Sequence, residues 1–185
     1  MTCRSKNRKR AALLLLLGMA LSLAAGPAIS RAVEWSLFTD PEQKIQFLSI
    51  GVPEKSQSQN DTAETVTWQF GYLDDGTNGY VDAARLQQGS FAGFDVVRES
   101  ADLRAGIEAG GRTKVIFERV VGTSAVPAVE FTTQTTTSSG NPWYGIVRMS
   151  VVGDTLYTMG ISAPSMAQLQ TEEVLAFLNS LQRTE

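Results

Sequence analysis

A chain of 185 residues with no histidine, one cysteine and a net charge of −3 cannot build a Ser-His-Asp triad or a Cys-His pair. Zinc, copper and haem sites lose their common ligands for the same reason. Carboxylate chemistry, a Ser-Lys arrangement, and calcium or magnesium held by oxygen ligands stay open.

The chain starts with the basic stretch "MTCRSKNRKR", continues through an apolar run from Ala11 to Ala25, and passes into "GPAISRA". That order is the charged, apolar and small-residue sequence of a secretory signal peptide. The apolar run falls short of the roughly twenty residues that span a bilayer. Ser30 and Ala32 place cleavage after Ala32, with Ala28 the nearest alternative and a retained anchor the remaining one. Residues 1–32 are therefore expected to be a signal peptide, and residues 33–185 a single periplasmic or secreted domain with no stable membrane span. Six of the sixteen Lys and Arg lie at or before Arg31, whereas all nineteen Asp and Glu follow it, so residues 33–185 carry a net charge of −9. Such a surface repels nucleic acid and anionic lipid. The only cysteine, Cys3, leaves with the leader and precedes the apolar run, which excludes a disulfide and a lipoprotein cysteine.

Beyond the leader no internal repeat or long linker interrupts the chain. "EWSLFTDPEQKIQFLSIGVPEK" reads as a short strand, a turn at Asp40-Pro41 and a second strand from about Lys44 to Ile50, ended by Pro53. "KSQSQNDTAE" is polar and aperiodic, hence a predicted loop. In "TVTWQFGYL", Val66, Trp68, Phe70 and Tyr72 alternate as in a half-buried strand. "DDGTNG" is a turn. From Tyr80 to Ala109 the spacing of Val81, Ala84, Leu86, Phe94, Val97 and Ala101 predicts one interrupted helix or two short ones, ending at Gly110-Gly111.

"TKVIFERVV", "VPAVEFTTQTTT", "WYGIVRMSVV" and "TLYTMGIS" are separated by turns so short that residues 113–162 must form a four-stranded antiparallel meander. A terminal helix follows. Ser165 and Gln168 have capping-box spacing, and Met166, Leu169, Val174, Phe177, Leu178 and Leu181 make one apolar stripe. In the first strand Val115, Phe117 and Val121 are assigned to one face, and Ile116 and Val120 to the other. "WYGIVRMSVV" sets Val147, Met149 and Val151 against Ile146 and Val152. A sheet apolar on both faces needs cover on both. The expected fold is α+β, an antiparallel sheet with helices on both faces: an α/β/α sandwich.

Three segments also resemble a known family. "WSLFTDPEQKIQFLSIGVPEK" resembles its opening strand pair, "TKVIFERVVGTSAVPAVEF" its central hairpin, and "VVGDTLYTMGISAP" with "VLAFLNSLQ" its closing strands and helix. The family is the PsbP-like group of exported domains, which includes extrinsic photosystem II subunits and periplasmic DcrB-type proteins. The likeness runs from about residue 35 to 181. It implies an α/β/α fold and a largely non-catalytic role in assembly, stabilisation or envelope physiology. Metal binding in the photosystem members leans partly on histidine, which this chain lacks, so no functional residue carries over.

Candidate sites are few. Asp74, Asn78, Gly79 and Asp82 stand at the first, fifth, sixth and ninth places of an EF-hand loop. Gly76 and Arg85 occupy the third and twelfth, where ligands are needed, and this argues against calcium. Asp74-Asp75 and Glu172-Glu173 are paired acids, expected to be solvated charge. Trp68 is assigned to the core. Trp143 and Tyr144, beside a turn, are the candidate interaction surface, since aromatics are enriched in binding hot spots. Thr132 to Thr137 is expected to be the solvated end of a strand, and Asn60 heads a formal glycosylation acceptor. Tyr157, three residues past the turn at Gly153-Asp154, is expected to be the inner wall of the sheet. The sequence reads as an exported non-catalytic domain, without cofactor or metal, binding or stabilising a protein or an envelope component. The alternative is an extracytoplasmic carboxylate-dependent hydrolase, with acids such as Asp74 or Glu130 facing one another across a cleft.

Overall fold

The computed structural model describes residues 34–71 and 76–184. The leader with its cleavage positions, and Tyr72, Asp74 and Asp75, lie outside the described residues. Among the described residues ten strands, two α-helices and one 3-10 turn follow in chain order: β1 (Trp35–Asp40), β2 (Ile45–Ile50), β3 (Glu54–Gln59), β4 (Ala63–Gly71), β5 (Asn78–Leu86), α1 (Ser100–Glu108), β6 (Thr113–Gly122), β7 (Pro127–Thr136), β8 (Pro142–Val152), β9 (Thr155–Ala163), the 3-10 turn Ala167–Gln170, α2 (Glu172–Leu178) and β10 (Gln182–Arg183). Seven strands form one antiparallel sheet in the order β3-β4-β5-β9-β8-β7-β6, and β1-β2-β10 form a second, smaller one. Among the described residues no helix is long and apolar enough to cross a membrane.

The opening hairpin forms where Asp40-Pro41 predicts it. The Asp40 carboxylate accepts from the backbone N–H groups of Glu42 and Gln43 at 2.9 and 3.0 Å, the side-chain-to-backbone bonding that makes aspartate a turn residue. The meander of residues 113–162 also stands as read, with β6 to β9 paired in succession. Gly122 opens its first turn at φ +84°, and a Cβ there would run into the Val126 carbonyl.

Each face of the large sheet carries its own buried cluster. Val66, Trp68, Phe70, Val81, Tyr157 and Ile161 gather with Phe47 of the small sheet and with Val174 and Phe177 of α2. On the other face, Ala84, Val115, Val129, Phe131, Met149 and Leu156 gather with Phe91 and Val96 of the connecting segment and with Leu103 and Ile107 of α1. The residues of β8 divide as predicted: Val147 and Val151 pack with Met149 on the second cluster, Ile146 and Val152 with the first.

Four expectations need correction. Residues 78–86 are not helical but the strand β5, paired with β4 on one side and β9 on the other. Val81 and Ala83 feed one cluster and Ala84 the other. A strand buried on both faces shows no alternation, and its alanines imitate helix spacing. Of the expected 80–109 helix only Ser100–Glu108 remains. The polar "loop" at 55–59 is likewise a strand, β3, exposed at every position because it is an edge. The terminal helix is broken into the 3-10 turn and α2, and Thr171, whose Oγ1 accepts from the Val174 N–H at 3.3 Å, caps the α-helix. Ser165 keeps only the reach-back part of the box, with Gln168 Oε1 accepting from its N–H and hydroxyl at 3.0 and 2.8 Å. In β6 a bulge between Val115 and Phe117 reverses the alternation. Val115 turns inward while Phe117 is 56% exposed, so the two do not share a face.

Candidate interaction surface

Both outer strands of the large sheet leave one side without a strand partner among the described residues. β3, "EKSQSQ", meets solvent with charge and small polar groups, a composition that discourages edge-to-edge pairing. β6 is different. Ile116 is 49% exposed, Phe117 56% and Val120 62%, with Val126 in the adjoining turn.

Side chains from α1 cover the first half of that edge. Glu108 Oε1 accepts from the Val115 N–H at 2.8 Å, and Arg104 Nη2 donates to the Val115 carbonyl at 3.4 Å. The N–H and C=O of one residue in an antiparallel strand point to the same neighbour. Their capture by α1 therefore closes the outer edge at Val115 and leaves the run from Phe117 to Val121 open.

Behind that run sits a compact ionic group. Glu130 on β7, 2% exposed, accepts from Arg119 Nε at 2.7 Å and from Arg148 Nε and Nη2 at 3.0 and 2.6 Å. Arg148 Nη1 also donates to the Leu178 carbonyl at 2.8 Å and to Asn179 Oδ1 at 2.7 Å, so it ties the end of α2 to the sheet. Two guanidiniums share one carboxylate. The unmatched positive charge faces outward through Arg119, whose side chain is 46% exposed. Both oxygens of Glu130 are occupied, and its partners are cations, not a second acid across a cleft.

Trp143 and Tyr144 are both half-buried. Tyr144 packs on the first cluster. The Trp143 ring approaches Gly76, within 3.2 Å of where a Cβ would stand, and its Nε1 is buried without a partner. Trp68 is fully buried and donates from Nε1 to Asp40 Oδ2 at 3.0 Å. Tyr157 is 2% exposed within the first cluster. Burial raises its hydroxyl pKa, outweighing the opposing influence of Arg183 and Arg85. It is wall, although the fold brings two cations nearer than the sequence suggested.

The EF-hand imitation does not assemble. Asn78 and Asp82 are four residues apart on one extended strand, about 13 Å at strand rise. Asn78 Oδ1 accepts from Ser162 Oγ at 2.9 Å. Asp82 lies opposite Thr67 and Thr158, bonds Thr67, and keeps Oδ1 buried without a partner. Burial pushes its pKa up to about 6, with the Thr67 hydrogen bond pulling the other way. Tyr80 beside it is raised too, by burial and then by the Asp82 charge. Among the described residues no three His, Cys, Asp or Glu cluster as a metal site. Glu172 and Glu173 are exposed in the first turn of α2, as expected of solvated charge. In the threonine run Thr132 and Thr133 are buried and Thr136 is exposed, so its first half is core, contrary to the expectation.

Among the described residues the architecture is mostly antiparallel β-sheet with two short α-helices. Comparison of folds places it more closely. The solution structure of cyanobacterial PsbP from Synechocystis sp. PCC 6803 superposes with a TM-score of 0.57 at 10% identity, over 87% of this chain and 98% of that one. A crystal structure from Bacteroides thetaiotaomicron superposes with a TM-score of 0.52 at 7% identity, over 80% of this chain and 48% of that one. The fold is PsbP-like. No family model matches the sequence, and no curated protein matches it.

Proposed function

We propose that this chain is an exported, non-catalytic accessory domain that binds another protein through the open part of β6. The observation that carries the reading is the contrast of edges: β3 is polar throughout, while β6 exposes Ile116, Phe117 and Val120. Exposed apolar surface rimmed by polar groups marks interaction sites. Edge strands that are not blunted are templates for pairing. The PsbP-like fold supports an accessory role, and the basic-apolar leader supports export of residues 33–185 to the periplasm or beyond. The placing of α1 in one cluster and α2 in the other supports reading the layers as an α/β/α sandwich. Trp143 and Tyr144 are secondary in this reading.

A photo-crosslinking amino acid placed at Val120, and in a separate variant at Ser56 on β3, tests the proposal in the living host. The expected result is a discrete crosslinked protein from position 120 and none from position 56. Equal crosslinking from both positions, or none from either, overturns the reading.

A further inference from the structure

We infer that the open half of β6 takes an extended peptide segment as an added strand, one that sets a carboxylate opposite Arg119 and a cation opposite Glu118. This rests on the reading above and specifies the partner's chemistry. Strand addition draws its affinity from main-chain hydrogen bonds and its specificity from alternate side chains. The edge supplies both. On its outer side the backbone is closed by α1 at Val115 and, among the described residues, has no strand partner beyond the bulge. Arg119, on the face of Glu130, presents the charge left over when two guanidiniums share one carboxylate. Phe117 and Val121 flank it on the same face, opposite Thr132 and Ala128. Glu118 and Val120, opposite Phe131 and Val129, belong to the other face. An antiparallel segment therefore needs, from its N-terminus, an apolar residue opposite Val121, a β-branched one opposite Val120, an acid opposite Arg119, a base opposite Glu118 and an apolar residue opposite Phe117.

A second copy of β6 fits this pattern poorly. Two-fold pairing within one continuous sheet keeps residues of the same face opposite each other. Glu118 and Arg119 therefore never meet, and an axis at either one sets like charges together. The occupant is a different chain, with adjacent acidic and basic residues among apolar ones.

Two blocked peptides of identical composition test this, Val-Val-Glu-Lys-Leu and its charge-exchanged form Val-Val-Lys-Glu-Leu, titrated into the full-length 15N-labelled protein. The first is expected to shift the backbone amides of residues 117–121 and leave those of β3 unmoved. The second should bind about five-fold or more weakly, the worth of reversing two cross-strand charge pairs. Phe117→Lys, its other amide signals unchanged, should lose the response. Equal affinity for the two peptides, absence of shifts at 117–121, or shifts there that depend on protein concentration alone and so mark a second copy, would each overturn the inference. If position 120 still crosslinks a partner while the peptides fail, docking through this surface stands and strand addition falls. Failure of both removes the surface altogether.

Discussion

The two edges of the large sheet are built on one plan and finished differently. Each is tied inward by an ionic group: β3 through Lys55, whose Nζ lies 2.8 Å from Asp40 and 2.7 Å from Glu42, and β6 through Arg119 and Arg148 on Glu130. At β3 the ionic group completes an outer surface already covered in charge and hydroxyls. At β6 it lies beneath a surface that exposes phenylalanine and valine. Anchoring an edge and blunting it are separate devices, and beyond Val115 β6 has only the first.

The sharpest way to break the comparison is to cut the β6 anchor. Glu130→Ala leaves Arg148, only 12% exposed, without its carboxylate, and removing one partner of a buried ion pair costs about 3–5 kcal/mol. Urea unfolding should show that loss. If the cost stays under about 1 kcal/mol, the Leu178 carbonyl and Asn179 suffice to hold Arg148.

Next in size is the strand between the edges. Asp82 titrates near 6 in the fold against 3.8 for an ordinary aspartate, so the native state holds the proton more tightly. Stability should fall as pH rises from about 4 to 6, and the full cost is present above that window. Asp82→Asn is expected to stabilise by about 1–3 kcal/mol at pH 7.5 and by almost nothing at pH 3.5. Chemical denaturation at the two values checks the sign. A gain of equal size at both would mean that packing, not charge, is responsible.

That central strand is also where the sequence was least readable. Strands with one wet face announced themselves by alternation, as Val66, Trp68 and Phe70 did, and tight turns enforced the meander. β5 is buried on both faces, so it showed no strand alternation, and the spacing of Val81, Ala84 and Leu86 pointed to helix. β3 was missed for the opposite reason, since an edge with no inward apolar row looks like a loop. The bulge at Ile116 leaves no mark in the sequence, yet it decides that Phe117 faces out beside Arg119. Trp143 and Tyr144 were singled out by residue type and turned out half-buried. The exposed apolar run of β6, Ile116, Phe117 and Val120, was hidden inside a stretch that reads as ordinary core strand.

Cutting the β3 anchor should matter less than cutting that of β6. Lys55→Met leaves Asp40 with the N–H groups of Glu42 and Gln43 and the Trp68 indole, and should cost about 1 kcal/mol. The acid limb of stability carries the signature. Burial resists ionisation of Asp40, but the bonds from Lys55, Gln43 and Trp68 outweigh it and hold its pKa below 3.8. The stabilisation is therefore present above about 3.8 and lost as pH falls through the lowered value. Without Lys55 the loss should begin at higher pH, visible as a shifted acid transition between pH 2 and 5.

The smallest change in stability tests the comparison most directly, by exchanging the finishes of the two edges. Phe117→Lys with Val120→Thr gives β6 the polar surface of β3. Both positions are more than half exposed, so folding stability should move by no more than about 0.5 kcal/mol, while crosslinking near β6 disappears. The converse places Ser56→Ile and Ser58→Val on β3. These positions stand opposite Thr67 and Thr65, on one face, and β-branched residues there suit the strand, so stability should again hardly change. Solution behaviour should change, because β3 then becomes an open apolar edge without the α1 side chains that close β6 at Val115. Sedimentation should show the β3 variant self-associating and the β6 variant remaining as dispersed as the parent or more so. If the β3 variant is as dispersed as the parent, apolar finish alone does not make an edge adhesive, and the geometry beyond the β6 bulge is then what a partner recognises.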